Sequence, residues 1–340
     1  LVYGTAWIPA PVIFARSDGN LTHCEALVAA GPIEGIRKVL VNGVELPLGE
    51  VGQDMTATGW YNVLSLGERN GGANLSLLDA QGQPAGDPHG GMACLAVVAP
   101  NKLMHSDRLP KVEVLLDGMK LPRYDASGAA LAEAFTRNPA WVVLDLLRRS
   151  GWDESEINLP SFAATALYCD EFIGVRQPDG SAVQGPRFEV NLALTQRRSL
   201  NETMRGLRLS SSMMLTADEW GRIQMMPEAT MARQCAVKKE CTNSVAPLAG
   251  GWPAYEFGDG LNGFSAILRN GNGASSFRIW RRASSELPNR LSVEFQDAFN
   301  DYQQDSLSLV DYDDAARQGC EVAAPCGALG LPHFDQAART

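Results

Sequence analysis

The sequence predicts an α+β chain, mainly β, in which β-rich domains of barrel type carry an inserted α/β domain. Three observations predict it. Residues 1–122 hold short apolar runs parted by turn signals, residues 123–230 switch to a helical period, and residues 231–340 return to alternation. Many short strands at even spacing belong to barrels and sandwiches.

In the first part, strands are expected at 11–15 and 21–29, flanking Ser17-Asp18-Gly19-Asn20, a hairpin turn. A strand at 36–41 meets Asn42-Gly43, a strong short hairpin signal, before a strand at 44–48. Strands at 92–98 and 112–116 come next, the latter ending at Asp117-Gly118. In the second part, Asn138-Pro139 puts a capping side chain before a proline at the first helical position. Trp141, Leu144 and Leu147 then recur on one face, and Gly151 stops the helix. A second helix after Pro160 buries Phe162, Ala166 and Cys169. Residues 187–194 alternate as a strand, with Phe188, Val190, Leu192 and Leu194 on one side. Ser199-x-x-Glu202 is a capping box opening a short helix through Leu207. A hairpin closes this part, with strands at 213–215 and 223–225 around Asp218-Glu219-Trp220-Gly221.

The third part brackets Asn270-Gly271-Asn272-Gly273 with strands at 264–268 and 277–280. Leu291, Val293 and Phe295 alternate, as do Leu307 and Leu309. These strands are expected to complete the barrel begun near the N-terminus, with the α/β unit inserted between. The last residues read as a helix cut short, and the chain opens on Leu1-Val2-Tyr3-Gly4 instead of Met. Both ends read as those of a piece of a longer polypeptide.

Composition narrows the function classes. With 45% hydrophobic and 20% charged residues the chain is globular, and no apolar run reaches the ~20 residues of a membrane span. A formal net charge of -10 argues against gripping a phosphate backbone, which takes many Lys and Arg contacts. No signal peptide is evident, so synthesis in the cytoplasm is the default.

Seven cysteines make an odd count. Cys24, Cys94 and Cys169 lie in apolar segments, as buried free thiols do. Cys235 and Cys241, then Cys320 and Cys326, form two pairs of C-x5-C spacing. Inert thiols, local disulfides and a four-thiolate metal site all stay open, although structural zinc usually takes closer ligands. No cofactor is expected.

Catalytic motifs are missing: there is no G-x-S-x-G elbow, H-E-x-x-H, Walker loop or strand-embedded G-x-G-x-x-G. His23 and Cys24 are adjacent in a strand and so point to opposite faces. His89 reads as a loop residue, and His105 near Asp107 has no nucleophile tied to it. Asp153, Glu154 and Glu156 crowd a helix connection, and Asp311, Asp313 and Asp314 read as a helix-start acid cluster. Trp252, Tyr255, Glu256 and Asp259, with Phe257, make the most site-like patch. Aromatics there can stack on sugar rings while acids bind hydroxyls, as in a glycan-binding or wall-cutting module. A structural loop or subunit contact is the competing reading.

The run from Pro288-Asn289-Arg290 through Phe295, Asp297, Tyr302-Gln303 and Asp305 resembles the lambda-type phage tail-tip family. Its members are host-specificity or tip attachment proteins, often called simply phage tail protein. In that family the run leads to a stretch similar to Ala328-Leu329-Gly330 and Phe334-Asp335-Gln336-Ala337-Ala338-Arg339. Asn138-Pro139-Ala140-Trp141 with Asp145-Leu146-Leu147, residues 187–194 with Ser199-x-x-Glu202, Val2-Tyr3-Gly4 and Glu34-Gly35-Ile36 also match. Residues 235–250 match nothing in the pattern. The resemblance implies hub-type β-barrel domains and a homotrimer at the distal end of the tail, closing the tail tube. Its implied partners are distal tail and other tail-tip proteins, the tape measure protein, and phage DNA passing through the lumen unbound. Host envelope contact is expected through C-terminal regions beyond this piece. A prophage remnant or a gene transfer agent carries the same pattern. The implied place is the virion tail tip.

Overall fold

A computed structural model of the protein describes residues 1–49, 58–68, 91–103, 109–229 and 286–340, with short pieces at 77–78, 84–85, 267, 269–276, 278, 280 and 282–283. The architecture is α+β and mainly β. The first strands are β1 (Val2–Tyr3), β2 (Thr5–Ala10), β3 (Val12–Asp18), β4 (Leu21–Ala30), β5 (Ile33–Val41) and β6 (Val44–Leu46). Next in the chain are β7 (Trp60–Leu66), β8 (Leu77–Leu78), β9 (Pro84–Ala85), β10 (Met92–Pro100), β11 (Val112–Tyr124) and β12 (Ala130–Phe135).

These strands build two open sheets, β3-β4-β10-β7 and β12-β11-β5-β6, with β2 also on β11. β2 and β5 pair with the same stretch of β11, so they lie on its opposite edges. Ala26, Tyr61, Leu95 and Val97 of the first sheet share one buried cluster with Ile8, Val39, Val114 and Leu116 of the second. The expected barrel is thus a sandwich, and no closed barrel forms among the described residues. The Asn42-Gly43 turn is as expected: both residues are left-handed (φ 49° and 83°), the signature of a two-residue hairpin that matches strand twist.

Asp117-Gly118, expected to end a strand, does not. β11 runs on to Tyr124 because Gly118 is a crossing point: its N–H donates to the Gly4 carbonyl (2.8 Å), and a Cβ there would collide with the Val2 carbonyl. Beyond it, Met119, Leu121 and Tyr124 enter a second core.

That core is built by α1 (Pro139–Arg149), α2 (Leu159–Cys169), α3 (Leu200–Ser211) and β16 (Met213–Ala217) paired with β17 (Ile223–Pro227); a smaller hairpin, β13 (Phe172–Arg176) with β14 (Ala182–Pro186), and the short β15 (Leu192–Ala193) complete the unit. α1 is buried on all sides from Pro139 to Leu147, a wider burial than one face. α3 continues past Leu207 until Ser212 turns left-handed (φ 46°). The expected strand at 187–194 is paired only in β15, on β1. Phe188, Val190 and Leu192 are buried, but so is Asn191, and the backbone bonds go elsewhere. Val190 N–H reaches the Arg137 carbonyl (2.8 Å) and Asn191 N–H the Gly330 carbonyl (2.9 Å).

The last part holds β18 (Arg290–Asp297), β19 (Gln303–Val310), α4 (Tyr312–Gln318), β20 (Ala323–Pro325) and α5 (Phe334–Arg339). β18 pairs antiparallel with β19 and parallel with β20. This sheet stands alone and has no ladder to the sandwich among the described residues, which corrects the expectation that it completes a barrel. Of the strands expected at 264–268 and 277–280, residues 264–266, 268, 277 and 279 lie outside the described residues. The Asn270-Gly271-Asn272-Gly273 turn is present, with Asn270 Oδ1 accepting from Asn272 and Ala274. No helix among the described residues is long and apolar enough to cross a membrane.

Candidate functional site

The most elaborate polar geometry lies where the last part meets the other two. The β18–β19 tip is shaped by Asp297, whose Oδ1 accepts from Phe299 N–H (3.0 Å) and whose carbonyl accepts from Tyr302 N–H (2.8 Å). Asp301 and Tyr302 are both left-handed (φ 49° and 60°), at a cost of roughly 1–2 kcal/mol each. Contacts with the sandwich offset that cost. Trp7 Nε1 donates to the Asp301 carbonyl (2.8 Å), and Lys38 Nζ to Asp301 Oδ1 (2.9 Å). The Arg37 guanidinium stands 6.0 Å from the Tyr302 ring centre while its Nε holds Asp117 (2.8 Å).

A strap from Glu321 to Thr340 ties the same part to the α/β unit. Asn289 anchors its start: Oδ1 accepts from Val322 N–H (2.7 Å), and Nδ2 donates to the Cys320 carbonyl (3.1 Å). Leu329 seats where Gly206 has no side chain, and a Cβ on Gly206 would strike it. Gln336 is fully buried; its Oε1 accepts from Glu189 N–H (3.0 Å), and its Nε2 donates to the Glu189 and Ser210 carbonyls (2.9 Å each). His333 caps α5, with Nδ1 accepting from Gln336 N–H (3.2 Å); burial first, then Arg339, pushes its pKa down to about 4. Burial works against ionised Asp335, but hydrogen bonds from Arg176 (3.1 Å) and Arg339 (2.8 Å) outweigh it and hold its carboxyl below the ordinary value.

The motif residues Pro288, Asn289, Arg290, Phe295, Asp297, Tyr302, Gln303 and Asp305 therefore gather in one hairpin. Phe295 fills its core, Arg290 reaches Ser308 and Glu321, and Gln303 and Asp305 are exposed on β19. Asn138, Pro139 and Trp141 belong instead to the core of the α/β unit. There Asn138 caps α1 and donates to the Ala166 carbonyl of α2 (2.8 Å), and Trp141 packs 6.3 Å from Tyr124. Trp252, Tyr255, Glu256, Asp259, Cys235, Cys241, His89 and His105 lie outside the described residues. Cys320, exposed, and Cys326, half-buried, lie on either side of β20 as free thiols. Burial pushes the Cys24 thiol up to about 11, far from a thiolate nucleophile.

Of the clustered acids, Asp153, Glu156 and Asp311 serve caps, and Glu154 holds a tyrosine. Asp153 and Glu156 form a reciprocal capping box, Glu154 accepts from the Tyr124 hydroxyl (2.6 Å), and Asp311 accepts from Asp314 N–H at the start of α4. Sequence reasoning missed Trp7, Arg37 and Lys38 as the hairpin's receptor, and His333 and Gln336 as buried ties. A polar pair inside an apolar C-terminal run was the only available signal.

Between β18 and residues 191–198 lies an open cleft of about 430 Å³, floored by residues 328–331. Glu294, Gln296 and Gln304 form one wall, and Gln304 Nε2 donates to Glu294 Oε2 (3.2 Å).

No family model matches the chain, and no curated protein matches it. Among solved structures, its fold is similar to that of a chain in the virion of a native gene transfer agent particle. The TM-score is 0.57, with 15% identity, over 99% of this chain and 69% of that one. At that identity the likeness is one of fold.

Proposed function

We propose that the chain is a structural component of a phage-like virion, working as a tail-tip hub and not as an enzyme. The observation that carries this reading is the likeness of fold, along 99% of the chain, to a gene transfer agent virion chain. The tail-tip motifs in the β18–β19 hairpin and in α1 support the finer placement. So does the way those residues are used: Tyr302 meets Arg37 of the sandwich, while Asn289, Asp297 and Asn138 fix neighbouring elements within their own parts. A hub that relays an attachment signal needs parts that move together. In this reading three copies form a ring that closes the tail tube and meets distal tail, tape measure and other tip proteins. The net charge of -10 suits a lumen that lets DNA pass without gripping it. The sandwich edge at β3, with Ile13 and Phe14 exposed, is a natural place for copies to meet.

The test is immunogold electron microscopy on tailed particles pelleted from a lysate of the bacterium carrying the gene. Gold at the tail end distal to the capsid is the expected result. Gold on capsids, or a chain that never sediments with particles, overturns the reading.

A further inference from the structure

The tip of the β18–β19 hairpin, residues 298–302, stands between the sandwich and the strap and holds a strained backbone there. Among the described residues, only here do two non-glycine residues in a row turn left-handed, Asp301 and Tyr302. Aspartate tolerates that region, but a bulky tyrosine in it is an outlier. Such outliers persist only where surrounding contacts hold them. On one side the holders come from the sandwich. Trp7 Nε1 donates to the Asp301 carbonyl, Lys38 Nζ to the Asp301 carboxylate, and Arg37 Nη1 to the Tyr302 hydroxyl (3.4 Å). Each is individually weak: the Lys38 and Asp301 side chains are 37% and 48% exposed, so water and salt compete for their ion pair. On the other side the tip meets the strap. Ala298 N–H donates to the Pro332 carbonyl (2.9 Å), and the Phe299 ring lies 5.8 Å from the His333 ring.

We propose that this tip is a two-state latch that couples the sandwich to the strap. In the docked state Trp7, Arg37 and Lys38 hold Asp301 and Tyr302 left-handed, and Ala298 and Phe299 rest against Pro332 and His333. In the released state the two residues relax to ordinary backbone, and the strap loses its contact at Pro332 and His333. Strain favours release while the sandwich contacts oppose it, so a small change in either shifts the populations. The coupling is reciprocal: loosening the strap also loosens the grip of the tip on the sandwich. The inference concerns the chain's own equilibrium and stands whether or not the chain is a virion component.

The experiment follows amide hydrogen exchange in the intact 340-residue chain and three variants altered at exposed side chains. Lys38→Met keeps the length of the side chain and removes its charge. The Ala298 and Tyr302 amides are expected to exchange about threefold faster in it. The Gln336 amide, which His333 caps, is expected to follow, while residues 290–292 keep the parent rate. Asp301→Ala and Asp301→Gly both lose the carboxylate and separate strain from charge. Glycine ordinarily loosens a backbone relative to alanine, yet it enters the left-handed region without steric cost. The tip of the glycine variant is therefore expected to open about fivefold less often than that of the alanine variant. Three results overturn the proposal: tip amides unchanged by Lys38→Met, tip amides that speed up while Gln336 does not, or a glycine variant that opens as often as the alanine one.

Discussion

The sandwich of residues 2–124 and the hairpin-and-strap of residues 289–340 are stabilised in opposite ways. The sandwich closes over a large apolar cluster drawn from both sheets, including Ile8, Val39, Leu95 and Leu116. The C-terminal part has a small core, centred on Val293, Phe295, Leu331 and Ala337, and depends on directional polar contacts made outside itself. Trp7, Lys38, Glu189 and Ser210 supply those contacts from the other two parts. The difference teaches that an apolar core makes a unit stable, while directional hydrogen bonds, exposed and buried, fix how units sit on one another.

The strongest way to break the comparison is in the sandwich. Leu95→Ala is expected to cost about 3–5 kcal/mol through lost burial and the cavity left, read as a fall in urea midpoint for the whole chain. Gln336→Ala comes next. It leaves the Glu189 N–H and two carbonyls unsatisfied, and it is expected to cost about 3 kcal/mol. Its signature is new proteolytic cleavage in residues 321–340 before the sandwich is cut.

Acid should loosen the strap selectively. The folded pKa of His333, about 4, lies below the ordinary 6.5, so the unfolded chain takes up the proton first. Its contribution is fully present above pH ~6.5 and is lost as pH falls toward ~4, at a cost of roughly 2–3 kcal/mol by pH ~4.5. Arg339 and Arg137 disfavour the proton while Asp335 favours it, and burial dominates. His333→Asn keeps a capping acceptor without a titrating group, so its melting temperature should vary less over this pH range. The smallest effect is at the hairpin tip. Trp7→Phe removes one hydrogen bond to Asp301 and should cost about 1 kcal/mol, visible as faster hydrogen exchange at residues 297–302.

The same contrast explains what was legible in the sequence. Alternation and turn chemistry exposed the sandwich strands, the Asn42-Gly43 hairpin and the caps at Asn138 and Ser199, because these are local. Gly118 misled, since a glycine needed for a close crossing looks the same in sequence as a glycine in a turn. The barrel expectation failed because periodicity states which face is buried, not which strands pair. The tip motif was legible as a pattern around Asp297 and Tyr302, but its receptor at Trp7 and Lys38 is more than 250 residues away in sequence and carries no local signal. The cleft was likewise invisible, because Asn191 and Gln296 become neighbours only through the strap.

The hub reading rests on the chain associating with itself, and its solution mass by light scattering, at concentrations from micromolar upward, tests that most directly. The account predicts a concentration-dependent rise from one chain to three. A mass fixed at one chain across the whole range would contradict it.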